Sequence, residues 1–177
     1  VGTRNFIAVV STVNCSAHAC QKIADHFTPE RLGPYPNVDG VIALTHTAGC
    51  GGVQPGSRDH AILQRTLAGM IHHPNVGASL VVGLGCETNQ IDDLMEPAKL
   101  MGKHVGTPPP VSLNIQDEGG VRSTVQAGIS VVERLLPAVS AAQRTTQPLA
   151  ALTVALECGG SDSWSGITAN PLMGRVA

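Results

Sequence analysis

Apolar residues in this chain fall into short unbroken runs, and between the runs they recur with helical spacing. The first run is FIAVVSTV, from Phe6 to Val13. Others follow at Val38–His46, Ala78–Leu84, Pro110–Ile115 and Ala150–Leu156. Each has the length of a strand. Continuous rather than alternating hydrophobicity is expected when helices cover both faces of a sheet. Segments 17–27, 57–73, 89–100 and 120–142 read as helices, with Ser16, Ser57 and Asn89 standing where N-caps belong. Val121, Val125, Ile129, Val132 and Leu136 keep a helical period through the last of them. Pro29, Gly33, Pro34 and Pro36 mark a loop, and the tail from Ser161 reads as loop with a helix starting. This alternation predicts an α/β fold: a Rossmann-like three-layer domain with a mostly parallel sheet of about five or six strands. The polar stretch Gln143–Pro148 reads as a connector inside one domain, 1–177, with a following region starting near 160–177.

Composition narrows the function classes. A chain of 177 residues suits one domain with a real core. Hydrophobic residues at 42% against charged residues at 14% exclude disorder. Aromatics are only 2%, so the core must be Val, Ile, Leu and Ala. With a net charge of -2, no basic stripe and almost no stacking aromatics, nucleic acid is not an expected partner. No apolar run is long enough to span a membrane, and no signal peptide is visible. The first residue is Val1, and the chain ends just after a Gly/Pro-rich loop. The expectation is a piece of a longer cytoplasmic polypeptide.

In open α/β sheets ligands bind outside the carboxyl ends of the strands. The sequence places Asn14 and Cys15 there after the first strand, and His46 and Cys50 after the second. Cys86 and Glu87 follow the third, and Gln116, Asp117 and Glu118 the fourth. Glu157, Cys158, Ser161 and Asp162 follow the fifth. The amino ends carry nothing comparable. Cys50, Cys86 and Cys158 each adjoin glycine, which lets backbone approach a ligand closely. Three thiols so placed could hold a metal or an iron–sulfur cluster; alternatively each packs under a tight turn. His46 and Glu87 could add nitrogen and oxygen ligands. An odd count of five cysteines, without compact spacing, favours reactive or ligating thiols over disulfides, with Cys20 the one read as a buried small hydrophobe.

Weaker signals are set aside. Gly83-Leu84-Gly85 lacks the third glycine of a dinucleotide motif. His72-His73 sits at a helix end and suits the dipole there. Asp92, Asp93 and Glu96 read as a solvated helix face. His18, His26 and His60 read as structural unless His18 or His60 faces the site.

Several strings together resemble the altronate/galactarate dehydratase family of sugar-acid hydro-lyases. They are VGTRN at 1–5, TVNCS at 12–16, NVDGVIALTH at 37–46 with GCG at 49–51, VVGLGCE at 81–87 and ECGGSDSWSGITANP at 157–171. The resemblance implies dehydration of a six-carbon sugar acid to a 2-keto-3-deoxy acid. It implies iron, as Fe2+ or an iron–sulfur cluster, or another divalent metal. It also implies a middle domain, partnered by N- and C-terminal regions of the same enzyme and allowing a homo-oligomer. A sulfolactate sulfo-lyase relative or a non-catalytic Rossmann-type effector-binding domain are the alternatives.

In such a reaction a base removes the proton α to the carboxylate. A metal or cation stabilises the enediolate, and an acid protonates the departing β-hydroxyl. Cys50, Cys86 and Cys158 are the candidate metal ligands, and His46, then Glu87, the candidate acid or base. Asn14, Gln116, Ser161, Asp162 and Thr168 are candidates for binding the substrate. Arg4 is the candidate carboxylate partner, since guanidinium suits bidentate recognition.

Overall fold

The computed structural model describes residues 1–95, 108–157, 160 and 162–177. These divide into two compact units, residues 2–144 and residues 145–177 with Val1. The Gln143–Pro148 stretch, read from sequence as a connector inside one domain, coincides with that division.

In the larger unit, β1 (Phe6–Ser11), β2 (Gly40–Leu44), β3 (Val76–Gly83) and β4 (Val111–Asn114) form one sheet. The order is β2-β1-β3-β4, and every pair is parallel. The order reverses between β1 and β3. Right-handed crossovers then put helices on both faces, those before and after the reversal on opposite sides. The two cores show this directly. Ile7 and Val9 of β1 and Leu80 and Val82 of β3 pack with α1 (Asn14–Asp25) and α5 (Val121–Ser140). Ala8, Val10 and Val81 face the other way, toward α3 (Arg58–Ile71) and α4 (Ile91–Met95). Burial on both faces explains the unbroken apolar runs. Each such side chain contributes roughly 1.5–3 kcal/mol when fully buried. A short helix, α2 (Pro29–Leu32), occupies the segment read as loop.

Several expectations are corrected. Among the described residues the sheet has four strands, not five or six. The run at Ala150–Leu156 is not a strand: Leu149–Ala151 is a 3-10 turn, and residues 152–157 join no ladder. An apolar run supplies side chains for a strand but not the neighbouring backbone that makes one. Helix α1 begins at Asn14, so Ser16 is not its cap. The Ser16 hydroxyl instead donates to the Val82 carbonyl at 2.7 Å, tying α1 to β3. Ser57 does cap α3, accepting the His60 N–H at 3.1 Å. Asn89 gives its amide to the Thr12 carbonyl at 3.2 Å. The predicted extension of α4 to residue 100 lies outside the described residues. Val121 is exposed, and the buried face of α5 runs instead through Thr124, Gly128, Val132 and Leu136.

The smaller unit carries α6 (Ala169–Val176), the helix expected to start in the tail. Among the described residues no helix is long and apolar enough to cross a membrane.

Candidate active site

All four strands of the larger unit point the same way, so their carboxyl ends share one edge. Three loops meet there through backbone bonds. The Asn14 N–H donates to the Ala48 carbonyl at 2.8 Å, joining the start of α1 to the loop after β2. The Thr88 N–H donates to the Cys50 carbonyl at 2.9 Å, joining that loop to the turn after β3.

These bonds bring thiols together. Cys15 Sγ and Cys50 Sγ lie 3.7 Å apart. The Cys15 thiol is held above its ordinary pKa, first by this hydrogen bond, then by lost solvation and by the charges of Cys50 and Cys86. Cys86 therefore belongs to the same neighbourhood. Its sulfur lies 3.3 Å from Gln116 Nε2, which donates to it. All three thiols are free, with Cys15 and Cys86 exposed and Cys50 half-buried. Cys20, by contrast, is sealed in the core, where burial pushes its thiol up to about 12. The inert reading of Cys20 holds. Sequence reasoning placed Cys15 on the edge and left it out of the ligand set; the rule that selected Cys50 and Cys86, a thiol just past a strand, selects it too.

Glu87 organises the turn after β3. Its Oε1 accepts the Thr12 hydroxyl at 2.6 Å and the Leu84 N–H at 3.1 Å, and Oε2 accepts the Gly85 N–H at 2.7 Å. Burial pushes this carboxyl up. The Thr12 hydroxyl and the N–H groups of Glu87, Gly85 and Leu84 outweigh that and hold it below its ordinary value. Both oxygens are thus engaged in fixing the loop that presents Cys86. Gly83 makes room for them: a Cβ there would lie 2.6 Å from Glu87 Oε1 and 2.6 Å from Asn114 Oδ1. Gly83→Ala is expected to lower stability by about 1–3 kcal/mol, read as a reduced urea midpoint at unchanged m-value. Gly85 has φ +112°, a conformation that suits glycine.

His46, half-buried in the loop after β2, accepts the Ala48 N–H on Nδ1 at 3.2 Å. Neutral imidazole then carries its proton on Nε2. That atom is buried and has no partner among the described residues.

The other candidates divide by position. Asn14 and Gln116 are exposed on the carboxyl edge. Arg4 is not there: it precedes β1, at the amino edge, and pairs with Asp39 at 3.3 Å. Asp162 and Thr168 belong to the smaller unit. Asp162 Oδ1 accepts the Ser165 N–H at 2.9 Å, and the Thr168 hydroxyl donates to the Trp164 carbonyl at 2.7 Å. Cys158 and Ser161 lie outside the described residues. Among the described residues, no three His, Cys, Asp or Glu side chains converge closely enough to hold a metal ion.

Comparison with known proteins places this chain in a family. Residues 1–140 match the model of the second domain of D-galactarate dehydratase/altronate hydrolase, and residues 149–177 match the model of the C-terminal domain of D-galactarate/altronate dehydratase. The chain is 36% identical over its full length to altronate dehydratase of Escherichia coli, covering 34% of that protein. It is 34% identical to altronate dehydratase of Bacillus subtilis over 99% of its length, covering 33% of that relative. It is 35% identical to galactarate dehydratase (L-threo-forming) of Escherichia coli, covering all of this chain and 34% of the relative. The chain thus spans about a third of the curated relatives it matches. No solved structure matches it. The chain belongs to the D-galactarate dehydratase/altronate hydrolase family.

Proposed function

We propose that this chain supplies the central part of a sugar-acid hydro-lyase, working on altronate, galactarate or a close relative and yielding a 2-keto-3-deoxy acid. The observation that carries the reading is the juxtaposition of His46, three free thiols and Gln116 on one sheet edge, in a member of this family. The reversal of strand order between β1 and β3 supports a Rossmann-like domain, with substrate entering where the order reverses.

The thiols give partial support to a metal. Two thiolates sharing one tetrahedral ion with bonds of about 2.3 Å have sulfurs about 3.8 Å apart. Cys15 and Cys50 meet that spacing at 3.7 Å. Cys50 and Cys15 are therefore the proposed paired ligands, with Cys86 nearby. When bound, iron or another divalent ion would act as a Lewis acid toward the carboxylate whose enediolate forms.

The remaining work falls to the chain. His46 Nε2 exchanges a proton with the substrate, because it is a buried ring nitrogen without a partner among the described residues, in the same loop after β2 that carries Cys50. Glu87 positions the Cys86 turn rather than reacting. Asn14 and Gln116 bind substrate hydroxyls from the exposed side of the edge. Ser161, Asp162 and Thr168 remain substrate-binding candidates.

The test uses the complete polypeptide, purified without oxygen and supplied with Fe2+. Incubation with altronate or galactarate should release a 2-keto-3-deoxy acid, detected as a new keto compound by NMR. Unchanged substrate with both acids would overturn the reading.

A further inference from the structure

Helix α3 changes character along its buried face. His60, Gln64, Leu67, Ala68 and Ile71 all turn inward. The last three pack against Ala8, Val10 and Val81 in the second core. The first two are polar, and an i, i+4 pair shares one face. Because α3 links the end of β2 to the start of β3, its first two turns lie at the carboxyl edge. The loop that carries Cys50 runs directly into it through the Ser57 cap.

Both polar residues are 8% exposed. His60 accepts the Gly56 N–H on Nδ1 at 3.3 Å, which leaves the proton on Nε2. His60 Nε2 and Gln64 Nε2 are buried and have no partner among the described residues. Asn89 Oδ1 is in the same condition, while its amide nitrogen is committed to Thr12. Buried polar groups are nearly always satisfied, so orphan donors here call for an acceptor. Leu at position 64 would have continued the packing seen at Leu67 and Ile71. His60 also stands in the first turn of a 14-residue helix, whose positive dipole end favours an anion.

We propose that His60 and Gln64 form an anion-binding site that takes a carboxylate of the substrate. This rests on the sugar-acid reading above and assigns one of its binding groups. Gln64 presents N–H donors and His60 an Nε2–H. His60 is then a binding residue rather than the structural histidine that its helical position suggested.

The proposal separates function from stability in one substitution. In the complete polypeptide, Gln64→Leu removes an orphan buried amide at nearly constant volume. Its unfolding midpoint should equal or exceed wild type. Its KM for altronate or galactarate should rise about tenfold or more, the loss expected for a hydrogen bond to a charged group, while kcat changes less. Gln64→Glu, of the same shape, sets a negative charge against the anion and should abolish saturation. Unchanged KM in both variants would overturn the proposal and leave these donors holding water only. Galactarate should also raise the thermal midpoint of wild type and not of Gln64→Leu. If wild type shows that shift but no dehydration, the anion site stands and the hydro-lyase reading fails. If it shows neither, both fail.

Discussion

His46→Ala is expected to lower kcat by about 10²–10⁴-fold in the complete polypeptide, the range for removing a positioned acid or base. The KM for the sugar acid should change little, because the imidazole works on the proton in transit rather than on binding. Folding should survive, since among the described residues the imidazole makes one hydrogen bond, accepted from the Ala48 N–H at 3.2 Å. That bond is worth about 1 kcal/mol. The check is a kcat and KM measurement alongside a urea denaturation curve. A kcat within about threefold of wild type would move the proton transfer to another residue.

Glu87→Ala should be the most destabilising change at the edge. It strands the Thr12 hydroxyl and the Leu84 and Gly85 N–H groups, all of which now donate to one buried carboxylate. The expected loss is about 3–5 kcal/mol, read from urea unfolding. Glu87→Gln keeps the shape and one acceptor oxygen, so about 1–3 kcal/mol is expected. The sign of the pH dependence follows from the lowered carboxyl. Its contribution is present above the unfolded value of about 4.3 and is lost as pH falls through the lower folded value. Wild type should therefore lose stability in that acid range more steeply than Glu87→Gln. Equal slopes would show that Glu87 does not carry this charge-dependent stability.

Much of this was legible in the chain. Strands β1 and β3 are visible as apolar runs because they are buried on both faces. The edge strands β2 and β4 are only half-buried but carry similar runs, and the carboxyl edge follows from the parallel order of all four. The run at Ala150–Leu156 has the same composition and is no strand, since hydrophobicity does not specify a pairing partner. Arg4 shows the reverse: its charge suggested a carboxylate partner, but a residue that precedes β1 must lie at the amino edge. Cys15 could have been grouped with Cys50, because both follow strands. Their 3.7 Å approach depends on the Asn14–Ala48 bond, which no local pattern encodes. His60 and Gln64 match a buried helix face in spacing. Only the three-dimensional arrangement of donors and acceptors distinguishes them from packing residues.

Substrate is proposed to bind on the carboxyl edge between β1 and β3. A crystal structure of the complete polypeptide with galactarate or altronate, in the inactive His46→Ala form, tests it most directly. The sugar acid should lie over that edge, with a carboxylate at His60 and Gln64 and its α carbon facing position 46. Density for the sugar acid at the amino edge, near Arg4 and Asp39, or on another domain altogether, would contradict the account.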